Sequence, residues 1–415
     1  MALPTNTLQT VQTYQMSGLA FLQNLNCFIG TANTKFKDFD KLEANLGSSV
    51  GIELPPRFTT SNTLVASFQD SEQRVSTLTV DQAANTSYAF SAQQFIFNVR
   101  DYMDRFGKAA ICEIGAQVES NVALNAKTNT FRFYGDGATA INSYGQLASA
   151  LAFFRNFGAA PGMTKGYLED LSVANIVNSG LNQFALNRNN EEANSWEVGA
   201  FSNCDWYQSN LLPIHTAGSE GINGSTLTVV SVTKNADDAV TSITFSGTNG
   251  ASDPDSVKQY DKFQFSDGVS GQTDLRFRTF VGHEVSASPV QFRAEADAAS
   301  TAGSQVTVSV YPPLKASAGK DQNINVEIAA GMQATVLPSH RCGMITSGNP
   351  LYLAMPRLPE EVPFPTANEV DPDTGVSMRM YYGSLFGQNQ RGMVHDVIWG
   401  SDLIDEYSMM LAFPL

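Results

Sequence analysis

The sequence predicts an α+β protein with an all-β module set into it. Three observations carry that reading. Helical periodicity is confined to residues 91–178. Short apolar runs parted by Gly, Asn, Asp and Ser fill 219–335, the pattern of closely spaced strands in a barrel or sandwich. Mixed strands without helical spacing return over 336–415.

Residues 1–45 read as an N-terminal arm whose short apolar stretch, Met16–Phe28, docks on the parent domain or a neighbour. Gly47–Leu54 is a short strand stopped by Pro55 and Pro56, since proline lacks the ladder donor. Thr63–Phe68 and Arg74–Val80 are strand candidates divided by the polar turn Gln69–Gln73. Val75, Thr77 and Thr79 share one face and Ser76, Leu78 and Val80 the other. Neither face is cleanly polar, as in a ribbon touched on both sides, and a two-stranded ribbon is marginal alone.

Phe95, Val99, Tyr102 and Phe106, then Ile111, Ile114, Val118 and Val122, recur at helical spacing, giving a helix, a break near Gly107 and a long helix within 91–126. A third helix places Leu147, Leu151 and Phe154 on one face and ends at Gly158 and Pro161. Tyr167-Leu168 is a short strand, Asp170 can cap a helix running to Asn178, and Trp196–Gly218 reads as irregular. In the β module the runs are Thr226–Thr233, Val240–Phe245, Lys262–Phe265, Arg276–Val281, Gln305–Val310 and Ile324–Ile328. The closing strands are Leu351–Met355, Val376–Tyr382, Met393–Trp399 and Tyr407–Phe413.

The 415 residues carry 25 basic and 40 acidic side chains, a net charge of −15. High-affinity nucleic-acid binding needs a basic face that releases counterions, and the acidic balance argues against it. Charged residues make up only 16%, against roughly 25% in ordinary soluble domains. Uncharged polar surface is easier to desolvate, which favours subunit contact. Cys27, Cys112, Cys204 and Cys342 are far apart, without a metal or redox pair, as expected of reduced thiols in a cytoplasmic product. No run approaches the ~18 apolar residues of a membrane span. The first charged side chain is Lys35, so the basic segment of a secretory signal is missing.

Catalytic motifs fail one by one. Gly107-Lys108 and Gly319-Lys320 lack the remaining residues of a phosphate-binding loop. Gly135-Asp136-Gly137 reads as a turn. His283-Glu284 has no second histidine at the zinc-protease spacing, and His340 and Cys342 have no second ligand pair. His395-Asp396 sits in an alternating strand, and the adjacent carboxylates Glu191-Glu192, Asp237-Asp238 and Glu360-Glu361 would point to opposite faces of a strand rather than form a dyad. The residues give a non-enzymatic, interaction-prone protein with no catalytic, cofactor or metal site.

Several runs, in their order and spacing, resemble the major capsid (coat) proteins of tailed bacteriophages, in the short-tailed branch whose Hong Kong 97-type fold carries an inserted β domain. Gly47–Phe58 resembles the strand-then-proline start of the family's extended loop, 91–126 its paired and spine helices, and Tyr167–Val177 its axial strand-to-helix step. Val198–Gly218 resembles the Gly-Phe strand, the Ser-Asn-x-Leu-Pro run and the exit into the insertion. Gln259–Val269 resembles an insertion strand, with Tyr260 where the family has Gly. Gly375–Met380 and Val394–Gly400 resemble the closing peripheral strands.

The resemblance implies an N-arm (1–45), an extended β loop (46–90), a spine-helix and peripheral domain (91–135), an axial domain (136–218), an inserted β domain (219–335) and a return to the axial and peripheral domains (336–415). It implies a homo-oligomer of hexamers and pentamers in an icosahedral virion shell, assembled in the host cytoplasm around DNA touched only weakly. Scaffolding, portal and decoration proteins are the implied partners, with no membrane and no cofactor. The extended loop and N-arm would supply subunit contacts through Val65, Phe68, Arg74, Val75 and Leu78, and through Phe21 and Phe28. Two other readings remain: a cellular nanocompartment shell of the same fold, and a secreted β-rich carbohydrate-binding protein.

Overall fold

The computed structural model describes residues 27–34, 49–60, 64, 68, 73–91, 107–158, 163–178, 197–201, 203–266, 274–279, 282–360, 364, 366–370, 376–385 and 390–415. It is a mixed α/β architecture built on two sheets, a long helix and a closed barrel. Among the described residues no helix is long and apolar enough to cross a membrane.

The long helix, Lys108–Asn129, buries the stripe read from the sequence: Ile111, Ile114, Val118 and Val122. It shares one core with both sheets, reaching Tyr167 and Met344 on one and Val397 and Trp399 on the other. The helix expected before Gly107 lies outside the described residues. Gln82–Ser91 is instead a strand, paired over ten residues with Gln390–Leu403. Its small and polar residues gave no apolar alternation, and the partner strand supplies the ladder that holds it. That pair belongs to a five-stranded sheet with Leu351–Ala354, Ser377–Leu385 and Thr366–Val370.

The other sheet runs in the order Phe133–Tyr134, Ser408–Phe413, His340–Ser347, Thr164–Leu168, Cys204–Gln208, Glu197–Phe201, with Ile214–His215 paired to His340–Ser347. Trp196–Gly218 is therefore not irregular: it contributes three strands. Helix Tyr144–Asn156 packs Leu147, Leu151 and Phe154 against the sheet core and is capped by Ser143, whose side chain accepts from Gln146 N. In helix Asp170–Asn178 the first intrahelical bond, from Val173 N, goes to the Glu169 carbonyl. Asp170 is thus the first helical residue, and its carboxylate still favours the positive helix end.

Between His215 and His340 the chain builds a closed six-stranded barrel, in the order Val240–Ser246, Gln305–Leu314, Gln291–Ala294, Lys262–Phe265, Gln333–Val336, Thr226–Lys234. Closure leaves no sheet edge. Its centre is aromatic: Phe263 stacks on Phe292 at 4.9 Å and on Phe245 at 5.9 Å. Two strand expectations change here. Arg276–Arg278 leaves the barrel to pair with Val285–Pro289, and Ile324–Ile328 forms only an isolated bridge to Phe277 through Ile324. Gln333–Val336 takes the closing place, its Ala334 and Val336 pointing inward.

Tyr260, before the Lys262–Phe265 strand, adopts φ 69°. A side chain in this left-handed region costs roughly 1–2 kcal/mol, which glycine avoids. Tyr260→Gly is expected to raise thermal stability by roughly 0.5–1 kcal/mol after allowing for the lost contact with Arg293. A calorimetric midpoint below that of the parent chain would show that the ring outweighs the strain.

Candidate assembly surface

The ribbon is made by Ser49–Leu54 and Arg74–Thr79, in register from Ser49↔Thr79 to Leu54↔Arg74. The returning strand pairs with residues 49–54, and the strand expected over Thr63–Phe68 lies outside the described residues except for Leu64 and Phe68. The two faces are distinct. Val50, Ile52 and Leu78 point inward, and Ile52 and Leu78 form a small core with Ala354 and Ile404. Val75, Thr77 and Thr79 point out, with Val75 54% exposed. Leu78, at 0% exposure, is thus a core residue of its own chain and has no surface to offer a neighbour.

Charge fixes the base of the ribbon. Arg57, just past Pro55-Pro56, reaches Glu406 at 2.5 Å and Asp321 of the barrel at 3.2 Å. Arg74 on the returning strand also pairs with Glu406. Burial would raise the Glu406 carboxyl, but the Arg74 hydrogen bond and the charges of Arg57 and Arg74 outweigh it and hold the group below its ordinary value. Ser76 Oγ donates to Asp402 at 2.5 Å, and the barrel's His283 Nε2 meets the Phe58 carbonyl at 3.3 Å. A cleft of about 560 Å³ lies between ribbon base and barrel, lined by Arg57, Arg74, Asp321 and Glu406 among others. Arg74 is therefore engaged within its own chain, and both rails of the ribbon are tethered.

Beyond the base, Leu64 and Phe68 stand fully in solvent, at 107% and 99% exposure, and Phe58 is 54% exposed. Val65 and Phe21 lie outside the described residues. Phe28 does not face a neighbour. It is buried in the short helix Cys27–Thr31 and stacks on Tyr167 at 4.2 Å. Of the seven contact residues expected from the sequence, the surface holds Phe68 and Val75.

The docking of Cys27–Thr31 depends on a residue the sequence reading passed over. Glu119 projects from the long helix into the core, where its carboxylate accepts from Phe28 N at 2.8 Å, Ile29 N at 3.1 Å and Cys27 Sγ at 3.1 Å. Burial raises the carboxyl above its ordinary value, against the pull of those three donors. The only sequence signal was a carboxylate beside the buried stripe, next to Val118, where helical periodicity assigns the solvent face. Glu119→Ala leaves three buried donors without an acceptor and is expected to cost about 3 kcal/mol. A urea denaturation midpoint equal to that of the parent chain would show that the segment is held by apolar contacts alone.

The residues weighed for catalysis are dispersed. His395 is buried in the five-stranded sheet with its Nε2 2.9 Å from the Tyr88 hydroxyl, while Asp396 pairs with Arg379. Asp238 sits in a positive-φ turn beside Lys234. Gly135 and Gly137 both adopt positive φ around Asp136, which accepts from Ala138 N and Thr139 N, so this segment is a turn. Glu191, Glu192 and Glu361 lie outside the described residues.

No family model and no curated protein matches this chain. Solved structures similar to it include one of Mycobacterium phage Che8, at 9% identity and TM-score 0.44, covering 99% of this chain and 94% of the other. The capsid of cyanophage P-SCSP1u matches at 9% identity and TM-score 0.44, over 99% and 92% of the two chains. The capsid of Ralstonia phage GP4 matches at 8% identity and TM-score 0.44, over 100% and 94%.

Proposed function

We propose that this chain is the major capsid protein of a tailed bacteriophage: a structural, non-enzymatic subunit of the Hong Kong 97-type fold, with the barrel as its inserted domain. Copies form hexamers and pentamers of an icosahedral head around double-stranded DNA, assembled in the host cytoplasm with scaffolding, portal and decoration proteins as partners. The observation that carries this reading is the ribbon. Its inner face and both rails are anchored in its own chain, while Val75, Phe68 and Leu64 present apolar surface outward. Exposed apolar surface on and beyond the ribbon is explained by a second copy that covers it. The ordered runs that resemble the coat family support the same reading. A net charge of −15 keeps the subunit from adhering to packaged DNA, whose packing must remain reversible. Many weak contacts per subunit then suffice, because dissociation requires losing them together.

Negative-stain electron microscopy of the purified chain, alone and co-expressed with a scaffolding protein, tests this. Rings or closed shells are expected. A monomer under both conditions overturns the proposal, and shells filled with an enzyme rather than nucleic acid would make it a cellular compartment.

A further inference from the structure

The chain passes from the seven-stranded sheet into the barrel after Ile214–His215 and returns at His340, and these two crossings pair with one another, His215 against His340. Their rings lie 5.4 Å apart. His215 Nε2 is 2.8 Å from Asp261 Oδ1, while Asp261 Oδ2 accepts from Gly218 N at 3.1 Å and Lys258 N at 2.8 Å. One fully buried carboxylate thus ties the barrel to the outgoing crossing. His340 Nδ1 lies 2.6 Å from the Pro338 carbonyl. A carbonyl only accepts, so Nδ1 carries the ring proton and Nε2 is the bare nitrogen. That Nε2 is buried and has no hydrogen-bond partner among the described residues.

Every element packed here brings a titratable group. The long helix contributes Lys127, donating to the Ile214 carbonyl at 3.3 Å. The barrel contributes Lys262, which donates to the Thr130 carbonyl, and Arg293. The sheet strand contributes Cys342. Among these groups Asp261 is the single carboxylate. A proton arriving on His340 Nε2 would find no acceptor and would stand in the field of His215, Lys262 and Lys127.

We propose that this crossing is an acid-operated hinge, in which proton uptake by the His215–His340 pair loosens the barrel from the sheet while both bodies stay folded. The sheet body keeps a core of its own, while the barrel core also takes in Phe131 and Phe157 from that body. The flank formed by Phe157 and Phe277, 4.8 Å apart, and Phe131 serves as the pivot. Arg132, 4.0 Å from the Phe157 ring centroid, and Tyr311, edge-on to Phe131, lie against it. The guanidinium donates to the Glu406 and Ser408 carbonyls, is lowered by burial only to about 9, and keeps its charge throughout the acid range. Burial holds His215 below its ordinary value and draws His340 down to about 3, while Lys262 falls to about 7 and Cys342 rises to about 11, all through burial first. Imidazoles in the opened chain take protons near 6.5. The closed crossing therefore binds fewer protons than the open one. The imidazole contribution to its stability is full above about pH 6.5 and declines as pH falls from there toward 3, while Lys262 adds its own contribution only as pH rises from about 7 toward about 10.4.

Hydrogen–deuterium exchange by mass spectrometry on the full chain, corrected for the intrinsic pH dependence, reads this directly. Between pH 7.5 and pH 4.5, peptides covering 214–218 and 337–342 should exchange about tenfold faster, while barrel strands and the long helix stay protected. His340→Gln should remove most of that response. His395, drawn to about 4 within the five-stranded sheet, provides a comparison remote from the crossing. Unchanged exchange at the crossing, equal acceleration across barrel and sheets, or an undiminished response in the variant would each overturn the hinge. Should His340→Gln not fold, exchange at the histidine C2 positions of the parent chain decides, since a His340 titrating near 6.5 is incompatible with the closed geometry.

Discussion

Ile114→Asp is expected to abolish folding. Ile114 is 1% exposed in the core shared by the long helix, the N-terminal segment and both sheets. An aspartate there meets Val118, Tyr167, Met344 and Val397 in the same cluster, and an uncompensated buried charge costs on the order of 4–5 kcal/mol. That is comparable to the whole stability of many domains. Ile114→Val removes one methylene and is expected to cost about 1 kcal/mol, which separates the charge from the loss of volume. Soluble expression and denaturant titration of both variants check it. A native-like, soluble aspartate variant would place this face of the helix in solvent.

The second large effect separates two residues three positions apart on one strand. Leu78→Asp drives a charge between Ile52, Ala354 and Ile404 and should destabilise the chain by about 4 kcal/mol. Val75→Asp sits on the outward face and should change stability by less than about 0.5 kcal/mol. If the outward face meets a second copy, Val75→Asp blocks assembly of a folded monomer, whereas Leu78→Asp fails before assembly is reached. Circular dichroism and sedimentation velocity on the two variants give the answer. Normal shells from Val75→Asp would remove this face from the subunit contact.

The parts of the fold legible in the sequence were those where burial repeats with a fixed period. Ile111, Ile114, Val118 and Val122 announced their helix because the groove they fill runs its length. The barrel showed itself through closely spaced strands alternating in and out, as Gln305–Leu314 does. Gln82–Ser91 was missed because small and polar residues in a ladder leave no apolar signature. Trp196–Gly218 was missed because its strands are short and broken by turns, so that sheet pairing, not local pattern, defines them. The pairing of Arg74–Thr79 with Ser49–Leu54 was not legible, because the two strands lie across a long loop that no local pattern bridges. The contact residues divided for a related reason. Alternation told that Val75 and Leu78 face opposite ways but not which way was in. That depends on Ala354 and Ile404, far along the chain. Glu119, Asp321 and Glu406 act through partners remote in sequence, and no local pattern marks them.

The pairing of His215 with His340 also bears on the order in which the chain reaches its native state. The seven-stranded sheet draws strands from residue 133 to residue 413, and its central ladder joins segments on either side of the barrel. Closing so long a loop in an open chain is entropically costly. The barrel is complete in sequence by Val336, before the Ser408–Phe413 strand has been synthesised. Once folded, it holds residues 215 and 340 side by side and shortens the loop that the sheet must close, a saving of about 1 kcal/mol for the ladder between Thr164–Leu168 and His340–Ser347 by the logarithmic dependence on loop length. The sheet's pairings across the barrel thereby become shorter in effective chain separation, and its rate of formation should follow the stability of the barrel.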